Sequence, residues 1–103
     1  MFQRMKGTVT VNVPEVDFTT VTDIQVELVQ EDTKVEMLFT GGNVNVANEN
    51  TVMVVIPKDV AMQLEVAPLR GQIMFTYPNG FPDATKAFTV PVSELIKESG
   101  YGN

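Results

Sequence analysis

Apolar side chains recur at every second position through most of this chain, the spacing of strands with one buried face. In "GTVTVNV", Val9, Val11 and Val13 fall on one side and Thr8, Thr10 and Asn12 on the other. "DIQVELVQ" sets Ile24, Val26 and Leu28 opposite Gln25 and Glu27, and "TKVEMLF" sets Val35, Met37 and Phe39 opposite Lys34 and Glu36. "NVNVA" adds a short segment through Val44 and Val46. "LRGQIMFTY" aligns Leu69, Ile73, Phe75 and Tyr77, and "TKAFTVPV" aligns Phe88, Val90 and Val92.

One strand departs from the alternation. "TVMVVIP" is apolar at Val52, Met53, Val54, Val55 and Ile56 in succession. Such a strand is either central, with the chain's own helix or loop over its back, or it carries an outward Met53/Val55 patch that another subunit buries.

Turn chemistry separates the strands. "QEDT" (Gln30 to Thr33) and "NENT" (Asn48 to Thr51) are polar corners, and the glycines of "TGGN" supply positive φ. Asn79-Gly80 lies between two alternating strands and is a strong short hairpin signal, with Pro78 and Pro82 ending the pairing on either side. Phe81 either folds back over this hairpin or stands at its tip as a contact.

Two short helices are expected. "PKDVAMQL" (Pro57 to Leu64) opens with proline, spaces Val60 and Leu64 by four, and crosses from one sheet to the other. "SELIKESG" (Ser93 to Gly100) has a Ser N-cap, an early Glu94, a late Lys97 and a terminal glycine, so that Leu95 and Ile96 seal one end of the core.

About seven strands with one or two short helices point to an all-β fold, a two-sheet sandwich of immunoglobulin-like size. With 103 residues the chain makes one domain, 1–103, with residues 1–6 as an amino-terminal arm and 101–103 as a flexible tail. At 44% hydrophobic and 19% charged it has enough apolar surface to fold without metal or disulfide.

Charge narrows the partners. Thirteen acids against seven bases give −6, an acidic surface that disfavours phosphate backbones and anionic lipid. Neither nucleic acid nor membrane is expected as a partner. "MFQRMKG" lacks the apolar core of an export signal.

Candidate chemistry is sparse. The chain has no histidine and no cysteine, which removes the commonest general base, thiol nucleophile and transition-metal ligands. Ser93 reads as a helix cap, and the acid pair Glu31-Asp32 as a solvated turn. Asn43, Asn45, Asn48, Glu49 and Asn50 lack the spacing of a calcium loop. No enzyme activity, cofactor or metal is expected. Glycan binding is the alternative class, but the chain has no tryptophan and its loop aromatics are Phe18, Phe81 and Tyr101.

The order "MFQRMKGTVTVNV", "DIQVELVQ", "TVMVVIPKDVAMQLEVAPLRGQIMFTYPNG", "KAFTVPVSELIKESGYGN" resembles the small β-sandwich proteins encoded among the structural genes of tailed bacteriophages and prophages of Gram-positive bacteria. It is similar to the amino-terminal immunoglobulin-like domain of phage baseplate upper proteins. It departs from them where "PKDVAMQL" replaces a glutamine- and threonine-rich crossing, and where "IMFTY" replaces a polar-basic strand. The resemblance implies a virion structural protein of tail, baseplate or head, assembled in the host cytoplasm and contacting other virion proteins or copies of itself. It carries no catalytic residues. The surface residues singled out for interaction are Met53, Val55, Phe81 and Tyr101, with open edges such as "GTVTVNV" available for strand addition.

Overall fold

The computed structural model describes residues 7–91. They form an all-β sandwich of two antiparallel sheets. The strands are β1 (Gly7–Asn12), β2 (Thr22–Gln30), β3 (Val35–Thr40), β4 (Asn45–Asn48), β5 (Thr51–Ile56), β6 (Leu69–Thr76), β7 (Pro82–Ala84) and β8 (Phe88–Val90). One sheet runs β1-β5-β4; the other runs β3-β2-β6, with β7 and β8 end to end along the far edge of β6.

This order is that of an immunoglobulin-like sandwich. With β1, β5 and β4 as strands B, E and D, the second sheet reads C′-C-F-G, and β7 and β8 share the place of G.

Alternation closes the core as expected. Val9, Val26, Leu28, Met37, Phe39, Val52, Val54, Ile56, Leu69, Ile73 and Phe75 are all buried between the sheets. Burial of each large aliphatic side chain stabilises by roughly 1.5–3 kcal/mol. The β1–β5 register, Val9↔Val54 and Val11↔Val52, puts one apolar row inward, and β2–β6, Val26↔Ile73, does the same opposite.

Several details differ from the sequence expectation. The described residues form eight strands, because a short strand that no period marks, Pro82–Ala84, precedes "TKAFTVPV" along the same edge of β6. Phe88–Val90 pairs with Leu69–Gly71, while Pro82–Ala84 pairs with Met74–Thr76. Thr85 bridges the break: its amide donates to the Ile73 carbonyl (2.9 Å) and its hydroxyl accepts from the Ile73 amide (3.1 Å). Val46 is 39% exposed instead of inward, because β4 is a four-residue edge strand whose pairing with β5 shifts between Val46 and Asn48.

Gln30 is a further difference. It is not a solvated corner but the fully buried end of β2. Its amide donates to the carbonyls of Glu65 (2.9 Å) and Ala67 (2.7 Å), and its carbonyl oxygen accepts from the Glu65 amide and the Thr33 hydroxyl (both 2.9 Å). Each polar atom of the side chain is thereby paired, which makes burial tolerable. The result is a clamp holding the β5–β6 crossover against the core.

That crossover contains the expected helix, shortened to one turn, α1 (Lys58–Ala61), after Pro57. Val60 and Leu64 pack on the core from it. The second helix expected, Ser93 to Gly100, lies outside the described residues.

Candidate interaction surface

The central strand β5 presents Val52, Val54 and Ile56 inward and Met53 and Val55 outward, while Thr51 at its start is buried and its hydroxyl accepts from the Asn12 side chain. Outward Met53 sits between Thr10 of β1 and Asn45 of β4 and is half-buried; Val55 beside Thr8 is 41% exposed. The burial of this row is therefore partial. Val55 also lines an open groove of about 330 Å³ with Leu38, Phe39, Asn45 and Pro57, where the chain passes from β3 to β4.

Leu38, 60% exposed, is a contact candidate the sequence reading left aside. Its signal was present in the alternation: Val35, Met37 and Phe39 point inward, so Leu38 must point out. Met62 and Val66 are exposed too, on the crossover after α1, where no strand period marks their orientation.

The hairpin between β6 and β7 is formed where the Asn-Gly signal places it, with a three-residue loop, but Pro82 opens β7 opposite Thr76 instead of ending the pairing. The Gly80 amide donates to the Tyr77 carbonyl and the Tyr77 amide to the Phe81 carbonyl, both at 2.8 Å. Gly80 takes φ +92° while Asn79 does not enter the left-handed region, the arrangement of a turn closed by a glycine bulge. The Asn79 side chain accepts from the Phe81 amide at 3.1 Å, so it shapes the turn. Phe81 stands out at 68% exposure. The Tyr77 hydroxyl donates to Asp83 (3.1 Å) across the hairpin, and that bond to the carboxylate, which only the protonated phenol can make, holds the phenol above its usual pKa of 10.0.

Phe18 is not a surface ring. It is 2% exposed, its edge meeting the Phe75 ring at a centroid separation of 6.0 Å. The β1–β2 loop is drawn in by the β4–β5 turn: the Phe18 amide donates to the Glu49 carbonyl and the Asn50 side chain to the Val16 carbonyl. Of the asparagines weighed for ligand binding, Asn48 and Asn50 are thus engaged in turn and loop bonds. Met53 and Val55 lie on one sheet and Phe81 at a turn of the other, and Tyr101 lies outside the described residues.

The sheet edges differ in protection. β4 is short and irregular, β3 carries Glu36, β7 contains Pro82 and Asp83, and β8 is three residues long, followed by Pro91. These are the ordinary devices against unwanted pairing. β1 has none of them. It is six residues, regular, free of charge and proline, and among the described residues it pairs only with β5.

Among the described residues no cluster of acids could hold a metal, and no helix is long and apolar enough to cross a membrane. Comparison with protein-family models, with curated proteins and with solved structures finds no match for this chain.

Proposed function

We propose that this protein is a non-enzymatic structural or assembly component of a phage virion, in tail, baseplate or head, that works through protein–protein contacts in particles assembled in the host cytoplasm. The observation that carries the assembly part of this reading is the β1 edge, which has no partner among the described residues, on a sheet whose outer face carries Thr8, Thr10, Met53 and Val55. An edge of that kind offers unpaired backbone groups to a neighbouring chain. The virion setting comes from the sequence resemblance to phage sandwich proteins. Mass spectrometry of purified particles of the phage or induced prophage tests it: the chain is expected as a stoichiometric component. Its absence from particles that are otherwise complete would overturn the reading.

The exposed Phe81, beside Tyr77 and Asp83, favours one second reading, a glycan- or host-surface-binding module. Titration with cell-wall polysaccharide then shifts amide resonances at Asn79–Phe81 specifically. No change at saturating polysaccharide rejects it.

A further inference from the structure

Asn79 and Gly80 lie in the loop of the β6–β7 hairpin, and both are exposed. The pair has a chemistry beyond its role in the turn. The backbone amide nitrogen that follows an asparagine can attack the side-chain carbonyl carbon, Cγ, and close a succinimide ring. Glycine permits this best, because it has no side chain to crowd its own nitrogen. Among residues 7–91 only Asn79 precedes glycine; Asn12, Asn43 and Asn45 precede valine, Asn48 precedes glutamate and Asn50 threonine. A β-carbon built on Gly80 would meet nothing within 4 Å, so the reacting atoms have open space around them.

The closed hairpin acts on both reacting groups. Asn79 Oδ1 accepts from the Phe81 amide at 3.1 Å, which draws electrons from Cγ and favours attack. The Gly80 amide must lose its proton to become a nucleophile, and it donates that proton to the Tyr77 carbonyl at 2.8 Å. The second effect governs, because an amide nitrogen that keeps its proton does not add to a carbonyl. Tyr77 closes the loop in two further ways: its amide donates to the Phe81 carbonyl at 2.8 Å, and its hydroxyl to Asp83 at 3.1 Å.

We propose that Asn79 is a site of spontaneous deamidation, gated by the closure of the hairpin through Tyr77, and that the isoaspartyl product does not reclose. Solvent hydroxide takes the Gly80 amide proton, the Gly80 N–Cγ bond forms, and the Cγ–Nδ2 bond breaks. Ammonia leaves with a proton from water, which regenerates the hydroxide. Water then opens the succinimide. Addition at Cγ gives aspartate; addition at the Asn79 main-chain carbonyl gives isoaspartate, in which the backbone runs through Cβ and Cγ. The sum is one water consumed and one ammonia released, with no oxidant or reductant. Isoaspartate lengthens the three-residue loop by one backbone carbon, so the Tyr77 and Phe81 backbone groups no longer meet in register. Either product adds a negative charge to a hairpin that already carries Asp83. The change alters how Phe81 is presented, but the inference rests on neither the assembly nor the glycan reading.

Trypsin cleavage after Arg70 and Lys86 isolates residues 71–86, in which Asn79 is the only asparagine. Timed incubation of the full chain in near-neutral buffer, with and without urea, is followed by mass spectrometry of this peptide, with fragment ions separating Asn79 from Gln72. In urea Asn79 is expected to convert ahead of the other described asparagines. In native buffer its conversion is expected to be at least about tenfold slower, since the loop must first open. Tyr77→Phe keeps the ring that meets Phe75 edge-on but removes the bond to Asp83. It is expected to speed conversion about two- to tenfold in native buffer and to leave the rate in urea unchanged. Equal rates with and without urea overturn the gate, as does a Tyr77→Phe protein that converts no faster than the parent in native buffer. Another described asparagine converting first in urea overturns the site. Hydrogen exchange on the isoaspartyl form is expected to find the Tyr77 and Gly80 amides unprotected; protection equal to that of the parent refutes the loss of closure.

Discussion

Gly71 sits where the sandwich has no room for a side chain. It pairs with Leu28 on one side and Phe88 on the other, and a β-carbon added there would lie 2.5 Å from Phe88 Cε1, 2.7 Å from Cζ and 2.8 Å from Leu28 Cδ2. Leu28 is fully buried between the sheets and has nowhere to go. Phe88 is half-buried on the edge strand β8 and must swing outward, giving up part of its cover of the β6 backbone. Overpacking of this kind costs about 1–3 kcal/mol. Alanine recovers roughly 0.5–1 kcal/mol of backbone entropy relative to glycine in a strand. Gly71→Ala should therefore destabilise by about 1–2 kcal/mol, read as a lower urea midpoint with unchanged slope, or as a melting point lower by roughly 4–8 °C for each kcal/mol lost. The cost should shrink by about 0.5 kcal/mol or more when Phe88→Ala is already present, since the worst clash is then gone. A midpoint equal to or above that of the parent protein would refute the packing of β6 between β2 and β8.

Three further outcomes follow from the same geometry. Gln30→Met keeps the length of the side chain but takes their partner from the Glu65 amide and the Ala67 carbonyl, so a loss of about 2–3 kcal/mol in urea unfolding is expected, with no change only if the crossover is not clamped there. Gly80→Val meets no neighbouring atom, so its cost comes from φ +92° alone, about 1 kcal/mol or more; an unchanged melting midpoint would mean the hairpin loop has a different conformation. The Tyr77 phenol is raised in the folded state, so the contribution of its bond to Asp83 is complete below the unfolded phenol's pKa and disappears as pH rises through the folded value, above 10.0. Absorbance titration of a Tyr101→Phe protein should show that late ionisation, and Asp83→Asn should bring it earlier; identical curves would deny the hydrogen bond.

The sandwich was legible because its information is local. Val9, Val26, Leu28, Met37, Phe39, Ile73 and Phe75 each announce their inward direction through their neighbours two positions away, and Asn79-Gly80 announces its hairpin through four adjacent residues. The parts that were not legible depend on distant partners. Gln30 looks like any polar corner until the carbonyls of Glu65 and Ala67, 35 and 37 positions along, are brought over it. Phe18 looks like a loop aromatic until the β4–β5 turn pulls its backbone in. The extra strand Pro82–Ala84, just before "TKAFTVPV", forms where β6 accepts pairing, and no period in that segment records it. For the candidate surface, Val55 and Phe81 are exposed as their positions implied, whereas Leu38 required carrying the alternation one residue further.

The claim beneath all of this is that β5 lies between β1 and β4 with Val9 facing Val54 and Thr10 facing Met53, leaving the other side of β1 open among the described residues. Cross-strand proton contacts measured by NMR test it directly. The account predicts contacts between β1 and β5 along the antiparallel series Gly7–Ile56 to Asn12–Thr51. Contacts offset by one residue, or joining β1 to β6 in place of β5, would contradict it.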